Sequence, residues 1–91
     1  MMEVKTSTGF KCKIDEDIKN DYRLLKAISN ADSEDASLKI KGTTDLVSLI
    51  FGENESKLME HIAKKNGGKI PVEAVTAELT DVLNSINELK N

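Results

Sequence analysis

The chain has 91 residues, 38% of them hydrophobic and 32% charged, with a net charge of −3. A mildly acidic chain with lysines dispersed among acids is a poor partner for nucleic acid, and no apolar run approaches the length that crosses a bilayer. Aromatic mass is low, with no Trp, one Tyr and two Phe, so the core must come from Leu, Ile and Val, and self-association to complete it is left open.

One cysteine cannot form an internal disulfide, and the start "MMEVKTSTGF" lacks the basic and apolar regions of a signal peptide. Both features lead to the expectation of a soluble cytoplasmic protein. The size suggests one domain over 1–91.

In chain order, residues 3–14 read as a hairpin. "EVKT" and "FKCKI" alternate in character and are joined by Ser7-Thr8-Gly9, where Gly9 can supply a positive φ. Phe10, Cys12 and Ile14 should share the inner face, and Lys11 and Lys13 the outer. "DEDIKN" reads as a turn into a helix over about 20–30, capped by Asp17 or Asn20, with Tyr22, Leu25 and Ile28 as its apolar stripe and Leu24 alongside. The polar stretch "SNADSEDAS" reads as a loop, and "LKIKG" is ambiguous between strand and helix.

Thr43 or Thr44 suits the cap of a short helix over about 44–51, stopped by Gly52. A further helix over about 54–65 places Leu58, Met59, Ile62 and Ala63 on one side. Its first turn is acidic, and Lys64-Lys65 close it, as the helix dipole favours. The last helix, over about 71–90, begins at Pro71. Val72, Val75, Leu79, Val82, Ile86 and Leu89 recur at spacings of three and four, a heptad seam widened by Leu83. That seam can pack on the domain's own helices, form a partner interface, or do both.

The fold expected is α+β and mainly α, with an N-terminal hairpin followed by about four helices, the last the longest. No internal repeat or low-complexity tract interrupts it.

Candidate chemistry is sparse. Gly67-Gly68-Lys69 resembles part of a phosphate loop, but the Walker pattern requires glycine where Ala63 stands and Ser or Thr where Ile70 stands. Gly67 reads better as the left-handed residue just past a helix end. Cys12 and His61 have no companions at zinc-ligand spacing, and Cys12 belongs on the inward face of a strand. The acidic groups at 15–17 and 32–35 lack the calcium-loop order. Lys64-Lys65 has no aromatic residues interleaved for stacking on single strands. No catalytic, cofactor or metal residue is assigned, and an enzyme is the least expected class.

The order of motifs carries more. "TSTGFKCKID", then "DYRLLKAIS", "LVSLIFGENESKLMEHI" and the closing "GGKIPVEAVTAELTDVLNSINELKN" resemble the tail assembly chaperone family of long-tailed bacteriophages and their prophages. The resemblance runs from about Val4 to Asn91 and is weakest over "SEDASLKIKGTT". It implies a protein of the bacterial host cytoplasm, not expected in the mature virion, that binds the tape measure protein and keeps it soluble during tail morphogenesis. Implied partners are the tape measure protein, a frameshifted longer product of the same gene, the tail-tube protein and further copies of the chain.

The competing expectation is a small structural or connector component of the tail or head–tail junction. A holder of a helical client needs an apolar groove or stripe. Leu46, Leu49, Ile50, Leu58, Ile62, Leu79, Val82, Ile86 and Leu89 are the candidate sources of such a surface.

Overall fold

A computed structural model describes residues 1–88 of the chain, apart from the side chain of Glu88. Strands β1 (Met2–Lys5) and β2 (Lys11–Ile14) form an antiparallel pair, with Val4 opposite Cys12 and Met2 opposite Ile14. The turn between them hydrogen-bonds Gly9 N–H to Thr6 O at 2.9 Å, and Gly9 sits at φ 92°. The turn thus closes on a left-handed glycine, a conformation that hairpin loops of this length commonly use. Val4, Phe10, Cys12 and Ile14 point inward and are buried, as the alternation requires.

A 3-10 turn, Glu16–Asn20, leads into α1 (Tyr22–Ala31), then α2 (Ala36–Phe51), a second 3-10 turn, α3 (Glu55–Lys65) and α4 (Val72–Glu88). The mainly helical α+β architecture is therefore as expected, but three local features differ. The cap of α1 is Asp21, whose carboxylate accepts from Arg23 N–H at 2.8 Å, and Asp15 caps the preceding turn. Second, α1 is rotated from the expected stripe. Leu24 and Ala27 are buried and Ile28 is half-buried, while Tyr22 and Leu25 are exposed at 74% and 57%.

The third difference is the largest. α2 begins at Ala36 rather than near 44, and "LKIKG" is helical. Asp35 starts the helix by accepting from Ser37 and Leu38 N–H at 2.9 and 3.2 Å. Thr43 and Thr44 lie inside the helix, and their hydroxyls donate back to Lys39 O and Lys41 O. β-branched residues and glycine lower helix propensity, but here tertiary packing decides. A Cβ on Gly42 would lie 2.3 Å from Ala31 N and 2.7 Å from Ala27 O. The backbones of α1 and α2 meet there, and only a hydrogen fits between them.

α2 ends at Gly52, φ 48°, as expected. α3 ends in a Schellman arrangement in which Gly68 N–H donates to Ala63 O at 2.8 Å with Gly67 at φ 64°. These glycines form a joint between helices, and α4 follows directly after Pro71, whose carbonyl accepts from Ala74 and Val75 N–H. The core gathers the inner hairpin face, Leu24 and Ala27 of α1, the far half of α2, Leu58 and Ile62 of α3, and Leu79, Val82 and Ile86 of α4. Phe10 and Phe51 meet edge-on at its centre, with ring centroids 6.3 Å apart. No helix among the described residues is long and apolar enough to cross a membrane.

Candidate functional site

The residues expected to supply a partner surface are mostly core. Leu46, Ile50, Leu58, Ile62, Leu79, Val82 and Ile86 are each at most 5% exposed. Leu49 is half-buried, and Leu89 lies outside the described residues. The corrected reading is that helical periodicity located the inside of the domain, because the same spacing marks any buried stripe. In the folded chain these side chains are already covered by one another.

The open apolar surface lies elsewhere, where α2 and α4 diverge. A groove of about 520 Å³ runs between them and the end of α1. Ile28 and Ala31 of α1, Ile40 of α2, and Val72 and Leu83 of α4 form its apolar walls, and Leu46 and Leu79 show at its base. Val72, the first member of the seam, overshoots the core and is 71% exposed; Ile40 is 66% exposed. A second groove of about 240 Å³ shares Thr43, Thr44 and Val72 with the first and adds Met59, Ile70 and Val75.

The threonines of the main groove place no demand on a ligand. Thr43, Thr44, Thr76 and Thr80 each donate to a carbonyl of their own helix, to Lys39, Lys41, Val72 and Thr76 respectively. With the hydroxyl protons spent, what they offer a ligand is chiefly methyl surface. Among the described residues, the groove is an apolar slot whose only charged lining groups are Asp32 and Lys39.

A polar cluster on the opposite side of α4 fastens that helix to the hairpin. Glu78 is 1% exposed, and its carboxylate accepts from the Thr6 hydroxyl at 2.8 Å and from the Thr8 hydroxyl at 2.9 Å. One turn on, Asp81 accepts from both the amide and the hydroxyl of Ser7, at 2.9 and 2.8 Å. These two bonds, amide first, hold the Asp81 carboxyl below its ordinary range.

His61 Nε2 lies 3.0 Å from Thr8 Oγ1. With the single Thr8 proton directed at Glu78, the imidazole must be the donor, so Nε2 carries its hydrogen. A nucleophilic hydroxyl needs a base that takes its proton. Here the imidazole faces the hydroxyl as a donor, so the cluster is arranged as an anchor.

Burial first, and the Glu78 charge second, push the Cys12 thiol up, away from the thiolate form that reacts or binds metal. Among the described residues no three His, Cys, Asp or Glu side chains stand together as metal ligands. A smaller cleft of about 290 Å³ between α1 and α2 carries Arg23, Lys26 and Lys41. Arg23 is paired with Asp21 and Lys41 with Asp45, each at 2.7 Å.

Glu78 escaped sequence reading because a carboxylate interrupts an apolar stripe. Its position did hold a signal: it stands three residues after Val75 and four before Val82, on the buried face. No family model, curated protein or solved structure matches the chain.

Proposed function

We propose that this protein is a tail assembly chaperone of a long-tailed phage or prophage, which holds the tape measure protein in soluble form while the tail is built. The observation that carries the reading is the open apolar groove between α1, α2 and α4. An amphipathic client helix docks through apolar residues at spacings of three and four laid into such a slot. Self-satisfied threonine hydroxyls leave the slot tolerant of sequence, as suits a holder of a long repetitive helix. The motif order from Val4 to Asn91 supplies the identity of the client, and the host cytoplasm is where the complex would act. The frameshifted longer product and the tail-tube protein are the further partners this role brings with it.

The test is co-expression with the tape measure protein of the same phage, comparing the native chain with Ile40→Asp and Val72→Asp. Both side chains are exposed, so these variants stay folded. The expected result is soluble tape measure with the native chain and loss of the soluble fraction with each variant. Equal solubility with all three would overturn the groove as the client site. Recovery of the protein from purified virions would instead favour a structural or connector component.

A further inference from the structure

The groove does not stop at the start of α4. Val72 lines both the larger slot and the smaller one beside α3, and so do Thr43 and Thr44 of α2. Val72 is 71% exposed, and both threonines spend their hydroxyl protons on carbonyls of α2. These three side chains form an apolar saddle with a slot on either side. Ile28, Ile40 and Leu83 border the first slot, and Met59, Ile70 and Val75 border the second.

α2 supplies the wall common to both slots, from Lys39 at one end to Ser48 at the other. At the helical rise of about 1.5 Å per residue, that wall is about 13 Å long. On a second helix, side chains at i and i+7 share one face and lie about 10 Å apart along the axis. One such pair can fill both slots, and the residues at i+3 and i+4 then pass over the saddle. Val72 stands up there, so a small side chain at those positions is what lets the two helices approach.

Charge tells the two ends apart. Asp32 and Lys39 have opposite signs at the first slot, whereas Glu55 is the only charged lining group of the second among the described residues. Glu55 takes part in no ion pair among those residues. The Ser48 hydroxyl donates to it at 3.4 Å, at the far end of the α2 wall.

We propose that the client segment is an amphipathic helix with large apolar side chains at i and i+7 and small residues at i+3 and i+4. A Lys or Arg just beyond the second anchor faces Glu55. The inference rests on the groove being the client site of the chaperone. Val72 is then the residue that sets specificity, because it rejects a helix that is bulky along the whole of its apolar face. The chain selects a spacing of large and small side chains, with one cation, and leaves the rest of the client sequence free.

Fluorescence anisotropy with labelled Ala-based peptides of about 20 residues, long enough to be helical in water, tests this. The reference peptide carries Leu at i and i+7, Ala at i+3 and i+4, and Lys one turn beyond the second Leu. A second peptide has Leu at i+4, and a third has Gln in place of the Lys. The native chain should bind the second peptide at least about tenfold more weakly than the reference. Val72→Ala puts a strong helix former at an exposed position and keeps the fold, and it should bring those two peptides within about threefold of each other. Glu55→Gln should weaken the reference peptide about three- to fivefold and leave the Gln peptide unchanged.

No binding of the reference peptide up to millimolar concentration overturns the inference. So does a native chain that accepts Leu at i+4 as readily as Ala, or a Val72→Ala variant that keeps the native preference. Equal weakening of the reference and Gln peptides by Glu55→Gln overturns the charge contact. The client reading fails on a different result, tape measure solubility that is indifferent to Ile40→Asp. An unselective groove whose Ile40→Asp variant still loses the tape measure would sink this inference alone.

Discussion

α2 meets its neighbours in two opposite ways. Against α1 it closes to backbone contact over Gly42, with Ala27 and Ala31 on the facing helix and no room for one more carbon. Away from α4 it diverges and leaves a groove, and α4 is instead secured from its other side by the hairpin tip through Thr6, Ser7 and Thr8. The first junction is made of shape and the second of directed polar bonds. A junction of shape fails when atoms are added. A junction of polar bonds fails when an acceptor is removed, and it leaves the far face of α4 open for use.

The largest effect should come from adding atoms at the tight junction. Gly42→Val should abolish the native fold, and Gly42→Ala should lower stability by about 3 kcal/mol, read as a lower urea midpoint with unchanged slope. If Gly42→Ala is neutral, the helices do not meet as described.

At the polar junction, Glu78→Ala strips the acceptor from two hydroxyls, one of them, on Thr6, buried. A loss of about 2 kcal/mol is expected, with Glu78→Gln losing less because it keeps an acceptor oxygen. Equal losses in the two variants would point to lost packing and not to the hydrogen bonds.

Asp81 gives a smaller effect with a pH signature. Its carboxyl titrates lower in the folded chain than in the unfolded chain. The stability it contributes is therefore present above the ordinary aspartate value of about 3.9 and is lost as pH falls through the folded value. Asp81→Asn should be the less stable protein near neutrality, and the two unfolding curves should converge in acid. A constant gap down to the folded value would remove Ser7 as the cause.

The smallest expected change tests the open side. Ile40→Asp should shift the thermal midpoint by no more than about 0.5 kcal/mol in equivalent stability, since the side chain is 66% exposed. A collapse of the fold would mean that the groove wall is structural.

The same contrast explains what could be read in the sequence. The hairpin was legible because period-two alternation and Gly9 are local signals, and α4 because its seam spans several turns. The end of α3 was legible because a left-handed joint demands glycine. The first half of α2 was not. Ile40, Gly42, Thr43 and Thr44 are weak helix formers, and the run reads as a break until α1 is laid against Gly42.

The face of α1 was misread for the same reason. Tyr22 and Leu25 compete with Leu24 and Ala27 for the inner side, and small Ala27 wins because the facing residue has no side chain. The candidate surface was inverted in consequence. A buried stripe announces itself by periodicity, whereas a groove arises from the angle between two helices, and neither sequence contains that angle.

The hairpin anchor also bears on how the chain is made. Ser7 and its acceptor Asp81 are separated by 74 positions, so the tip emerges from the ribosome long before its partner exists. At about 5–20 residues per second the interval is several seconds, and a lone hairpin is marginal in water over that time. Helices α1 and α2 are adjacent in sequence and can zip over Gly42 meanwhile. The hairpin tip therefore gains its anchor only once α4 has been made.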